Sequence, residues 1–154
     1  MNEEGTYDQQ LVKTVSIAMP VARVWEALTV PALMQQWMAE TEIEVLTDWE
    51  VGGPFAIRGP WYKTHFENRG VVVVFEPMKR LSYTHLSSLS RLPDVPDSYT
   101  TFDFVLVPNG EGTDLTLTLS GFAAETIYRH LNFYWMVTLH VLKRYLEEGG
   151  RSNG

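Results

Sequence analysis

A switch in hydrophobic period near Gly121 governs what this chain can become. Through residues 41–119 apolar side chains recur at every second position, and turn signals break the pattern at Gly52-Gly53-Pro54, Gly59-Pro60, Pro77-Met78-Lys79 and Pro108-Asn109-Gly110. Such a stretch predicts an antiparallel sheet. Beyond Gly121, Leu131, Trp135, Leu139, Leu142 and Leu146 follow at spacings of 4, 4, 3 and 4, the stripe of an amphipathic helix over about residues 125–148. At 1.5 Å per residue that helix is roughly 35 Å long. Tyr134, Val141 and Tyr145 widen its stripe beyond a narrow seam. The helix is therefore expected to be largely covered, and the sheet is the only partner large enough.

The N-terminal third completes the architecture. Residues 11–18, with Leu11, Val15 and Ile17, read as a first strand that Met19-Pro20 stops. A helix follows, with Pro20 near its start and Val21, Val24, Trp25 and Leu28 on one face. Thr29 is the expected cap of a second short helix that carries Pro31 in its first turn and Val30, Leu33, Met34 and Trp37 as its stripe. Late in the sheet, Asn109-Gly110 joins residues 101–107 to 113–119 as a hairpin with a loop longer than two residues. Leu115, Leu117 and Leu119 give that hairpin one dry face, and Phe102, Phe104 and Leu106 share it. The resulting fold class is α+β: a curved antiparallel β-sheet wrapped around a long C-terminal α-helix, with two short helices after the first strand. We expect one domain over residues 11–148, with flexible tails at 1–10 and 149–154.

Composition narrows the function. The formal charge of −7 repels phosphate backbones and anionic lipid surfaces, so neither nucleic acid nor membrane is an expected partner. The chain has no cysteine, which excludes disulfides and thiolate chemistry and fits a reducing cytoplasm. Glu3, Glu4 and Asp8 make the first ten residues unlike a secretory signal, and the longest apolar runs, 71–75 and 133–137, fall far short of a membrane span of about 20 residues.

Residues able to carry chemistry are few. His65, His85, His130 and His140 show no metal-ligand spacing, and no phosphate loop, dinucleotide fingerprint or nucleophile elbow occurs, so neither metal nor cofactor is expected. The aromatic supply is more informative, with 5 Trp, 7 Tyr and 7 Phe in 154 residues. By alternation Phe55, Ile57, Val73, Phe75, Tyr83, His85, Phe102 and Phe104 point to the face between sheet and helix, where Trp135 and Leu139 arrive from the other side. Alternation leaves two readings open: these side chains fill a core, or they line a ligand cavity. Tyr83 and His85, two apart on one strand face, need partners if buried, from neighbours, water or a ligand. Residues 87–98 form a long connection that could lie over a cavity mouth or simply run along the surface.

A family resemblance bears on that choice. Val24-Trp25-Glu26-Ala27-Leu28-Thr29 with Pro31 and Trp37, then Gly52-Gly53-Pro54-Phe55, Gly70-Val71-Val72 with Glu76-Pro77, Leu81-Ser82-Tyr83-Thr84, Gly112-Thr113-Asp114-Leu115-Thr116-Leu117, and Trp135 with Leu139, Leu142-Lys143 and Leu146 stand in order. Together they resemble the helix-grip superfamily called SRPBCC or START-like, in the branch named after the activator of heat-shock protein 90 ATPase. The resemblance covers roughly residues 11–147 and implies a hollow between sheet and last helix that holds a small hydrophobic or aromatic molecule. Alternatives within the superfamily are a cochaperone-like stress-response protein with a chaperone-type partner, or a polyketide cyclase or hydrolase using Tyr83 and His85 as acid and base. Binding rather than catalysis is the expectation. Two departures alter the cavity lining: Tyr134 precedes Trp135 where the branch has Gly-Trp, and His85 stands where it often has Trp.

Overall fold

The computed structural model describes residues 9–39 and 41–149. The chain runs β1 (Leu11–Ile17), α1 (Val21–Thr29), α2 (Pro31–Met38), β2 (Glu44–Thr47), β3 (Pro54–Trp61), β4 (Thr64–Glu76), β5 (Arg80–Ser87), β6 (Thr100–Asn109), β7 (Gly112–Ser120) and α3 (Glu125–Arg144). Two single 3-10 turns, Ser88–Ser90 and Pro96–Ser98, lie between β5 and β6, and a π turn, Tyr145–Gly149, extends α3. The sheet is antiparallel throughout, in the order β1-β7-β6-β5-β4-β3-β2. Most of the expected tails at 1–10 and 149–154 lie outside the described residues.

Local details correct the sequence reading at four places. Thr29 does not cap α2: Val30 occupies that position, and the Thr29 hydroxyl instead donates to the Trp25 carbonyl one turn back, closing α1. The β6–β7 turn is tighter than expected, because Asn109 pairs with Gly112 and only Gly110 and Glu111 remain outside the ladder. Gly110 has φ +61, and a glycine at the first central position is what a two-residue II′ hairpin requires. Val73 is 42% exposed while Val72 is buried. The register shifts between Val72 and Val74, so Val73 is the extra residue of a β-bulge, and the alternation that placed it inside breaks there.

The fourth correction concerns α3. Leu131, Trp135, Leu139, Leu142 and, beyond them, Leu146 are buried against the sheet as the stripe predicts. Phe133, Met136, Val137 and Val141, however, are 65%, 55%, 46% and 39% exposed. A helix has two sides and the sheet covers one. The far side of α3 is apolar and uncovered over its middle, from Phe133 to Val141.

The C-terminal end of α3 is fastened to the edge of the sheet. Lys143 Nζ donates to the Ser16 carbonyl at 2.6 Å and to Glu147 at 2.7 Å, and Glu147 accepts from the Ala18 N–H at 2.8 Å. Those contacts engage backbone groups at the end of edge strand β1, which has only β7 as a ladder neighbour.

Candidate functional site

The inner face of the sheet carries a continuous ladder of rings. Trp25 meets Phe75 at 5.3 Å between centroids, Phe75 stacks on Trp49 at 5.6 Å, and Trp49 meets Phe55 at 5.5 Å. Phe55 meets Tyr83 at 4.2 Å, and Tyr83 stacks on Phe102 at 5.5 Å. The ladder ends where the His85 imidazole stacks on Phe102 at 4.9 Å. Trp135 of α3 closes it from above, edge-on to Phe102 at 5.7 Å and to Phe104 at 5.9 Å. These are contact distances for aromatic pairs, so the middle of the ladder is filled.

The expected site residues thus fall into three groups. Phe55, Ile57, Tyr83, Phe102, Phe104, Trp135 and Leu139 are all buried in one core, with Phe75 packed against it. His85 stays partly accessible at the end of the ladder. Val73 leaves the group, since the bulge turns it to the outer face.

Trp49 was not anticipated. It bridges the two halves of the ladder from the β2–β3 connection, with φ +59, and its indole N–H donates to the Thr29 carbonyl at 2.8 Å. A lone Trp in a loop, in a backbone region that non-glycine residues rarely adopt, leaves no periodic trace in the sequence. Tyr134 was read as a widening of the helix stripe and as a departure that alters the cavity lining, but not as a tie between helices. Its hydroxyl donates to the Met38 carbonyl at 2.7 Å and so ties α3 to α2, while its ring lies edge-on to Trp135 at 5.3 Å and stacks with His130 at 6.4 Å.

Electrostatics at the His85 end disfavours proton exchange. The His85 imidazole is pushed down to about 4, first by desolvation and then by electrostatic interaction with the neighbouring His130, against a smaller opposing hydrogen bond to its own backbone. Burial, helped by the Tyr134 phenol, drives the Tyr83 hydroxyl well up from the ordinary tyrosine range. Burial also raises Tyr134, opposed by a hydrogen bond with Thr138. A general base works best near ambient pH, and a neutral imidazole this weakly basic beside a phenol this weakly acidic is suited to hydrogen bonding instead. Among the described residues no group of three or more His, Asp or Glu could hold a metal ion, and none of the helices is long and apolar enough to cross a membrane.

A recess opens elsewhere, between α2 and α3. It has a volume of about 800 Å³ and is walled by Trp37 and Met38 on one side and by Phe133, Tyr134, Val137 and Val141 on the other. His130 stands on the same wall, one turn from Tyr134.

A curved antiparallel sheet gripping one long helix over an aromatic inner face defines an SRPBCC-type helix-grip protein. Within that class, the chain belongs to the Activator of Hsp90 ATPase homolog 1-like family, whose profile matches residues 18–147. Among solved structures it is similar to ChR145 from Cytophaga hutchinsonii, at 28% identity over 93% of this chain and 97% of that one, with a TM-score of 0.76. It is also similar to MLL2253 from Mesorhizobium loti, at 26% identity over 90% and 97% of the two chains, TM-score 0.74. A third similar structure is DynU16, a protein of the dynemicin biosynthetic locus, at 26% identity and TM-score 0.70, where the match spans 93% of this chain and 49% of that one. No curated protein matches the chain.

Proposed function

We propose that this protein binds a small hydrophobic or aromatic molecule between the sheet and α3, at the His85 end of the ring ladder, without catalysing a reaction on it. In this reading Tyr83, His85 and Phe102 touch the ligand, and Phe55, Ile57, Phe75, Phe104, Trp135 and Leu139 form the wall behind them. The observation that carries it is His85 itself. It is a polar ring at the end of the inner-face ladder that keeps accessible surface, it is held neutral, and it lies flat on Phe102 at 4.9 Å. An apolar wall with a few convergent polar groups is how ligand sites obtain affinity and orientation together. Of the two partner classes that the family admits, a small apolar molecule and a chaperone-type protein, this end of the ladder fits the first. The absence of cysteine supports a reducing, cytoplasmic setting. The similarity to DynU16, which comes from a biosynthetic locus, is in keeping with a small-molecule ligand.

The test is a fluorescence titration of the full chain with N-phenyl-1-naphthylamine, followed by displacement with hydroxylated aromatics. Saturable micromolar binding is expected. Tyr83→Phe should weaken a hydroxylated aromatic by about 0.5 to 1.5 kcal/mol, the net value of one neutral hydrogen bond, and leave its deoxy analogue unchanged. The proposal fails if no probe binds saturably, or if Tyr83→Phe and His85→Leu leave every affinity where it was.

A further inference from the structure

The recess between α2 and α3 counts Tyr134 among its walls, and its lining has a pattern of its own. Phe133, Val137 and Val141 follow at four-residue spacing and are all exposed, forming one apolar line down α3. Eight residues of helix make that line about 12 Å long. Trp37 and Met38 supply the facing apolar wall. Polar groups sit at defined places. The Tyr134 hydroxyl is spent on the Met38 carbonyl, and the Gln35 amide is spent on the backbone of Thr41 and Ile43. Gln36 lies on the α2 side, and His130 marks the N-terminal end of the α3 wall. No Asp, Glu, Lys or Arg lines the recess among the described residues. Its volume of about 800 Å³ is within the roughly 300–1,000 Å³ usual for small-molecule sites.

We propose that this recess is a second binding site, for a carboxylate amphiphile whose acid group meets His130 and whose apolar body lies along Phe133, Val137 and Val141. The lining itself argues for an acid. A neutral apolar ligand would use the wall but make no use of the imidazole at its end, and a cationic one would meet no carboxylate on the described lining. The groups that bear on His130 are compatible with an anion. On its own helix, Glu125 is paired with Arg129 at 2.8 Å, and Tyr134 stacks on the ring. From the sheet, His85 on β5 is the titratable group coupled to it, and it is neutral at ordinary pH. On the described part of α2 no residue is charged. The exposed apolar line on α3 also gains a role: bound ligand covers what the sheet leaves bare.

Calorimetric titration of the full chain with decanoate and with decan-1-ol, both below their aggregation concentrations, tests this. Decanoate should bind once per chain and about tenfold or more tighter than the alcohol, the margin of a charge-assisted over a neutral hydrogen bond. His130→Leu should abolish that preference while the alcohol still binds, and Val137→Glu, which places a charge on the apolar line, should abolish both. Decanoate should leave N-phenyl-1-naphthylamine bound, which separates this site from the one at the ring ladder. The proposal is overturned if neither compound binds saturably, if the alcohol matches the acid, if His130→Leu keeps the preference, or if decanoate displaces the naphthylamine.

Discussion

His85 ties a single residue to a measurable pH dependence. Its folded-state pKa of about 4 lies below the ordinary 6.5, so between those values the unfolded chain holds a proton that the folded chain lacks. Stability from this group is therefore complete above about pH 6.5 and is lost as pH falls toward 4, by roughly 3 kcal/mol at most. Urea titrations from pH 4.5 to 7.5 should show His85→Leu flattening the slope through that window. An unchanged slope would assign it elsewhere. Glu147, held low by Lys143 and the Ala18 N–H, loses its contribution only further into acid. Gly70 makes a second residue-scale case. A Cβ there would stand 1.8 Å from the Thr84 carbonyl oxygen, and backbone cannot swing aside as a side chain can. Gly70→Ala is expected to cost about 3 kcal/mol or more in denaturant titration, at the upper end of overpacking effects. The bulge gives a paired control: Val72→Ala should cost about 2 kcal/mol, while Val73→Ala on the outer face should stay within about 0.5 kcal/mol.

At the scale of elements, α3 is held by its buried stripe and by the clamp at its end. Trp135 is 2% exposed and touches Phe102, Phe104, Trp37 and Tyr134. Trp135→Ala should cost about 3 to 5 kcal/mol, as large aromatic truncations in cores do, and a loss below about 1 kcal/mol would mean that this is not the core face of the helix. The clamp is worth less. Lys143 is a third exposed, so its charge-assisted bonds to Ser16 and Glu147 are screened, and Lys143→Met should cost about 0.5 to 1 kcal/mol. Hydrogen exchange should reveal more than the global stability does, because the residues freed are at the end of an edge strand.

For the whole molecule, the surplus of aromatic residues has a structural cause. Seven ladder rings and the Trp135 lid span the concave side of a seven-stranded sheet, a surface too broad for one helix to cover with aliphatic side chains alone. Ligand that binds only the folded chain should stabilise it by mass action, about 2.7 kcal/mol at one hundred times its dissociation constant. A thermal shift that rises with naphthylamine and rises again on adding decanoate would be the whole-molecule signature of two separate sites. The charge of −7 further predicts no salt-sensitive binding of DNA or RNA, which a gel shift at moderate ionic strength checks.

What could be read from the sequence was whatever repeats along the chain. Strand alternation from Thr41 onward and the Leu131, Trp135, Leu139, Leu142 stripe are local periodicities, each imposed by backbone geometry, and they led to the sheet, the long helix and most of the inner face. Tyr83, Phe102 and Trp135 were placed correctly on that basis. Val73 was not, because a bulge changes phase without changing the residue types. Trp49 and the Tyr134 tie to Met38 were beyond reach for a related reason: each joins segments far apart in sequence, and nothing in either segment alone marks the partner. Whether the aromatic face is filled or hollow, and whether the second face of α3 is covered, depend on how closely the sheet curls around the helix. That curvature is a sum of bulges, glycine approaches and ring contacts, and only the tertiary structure decides it.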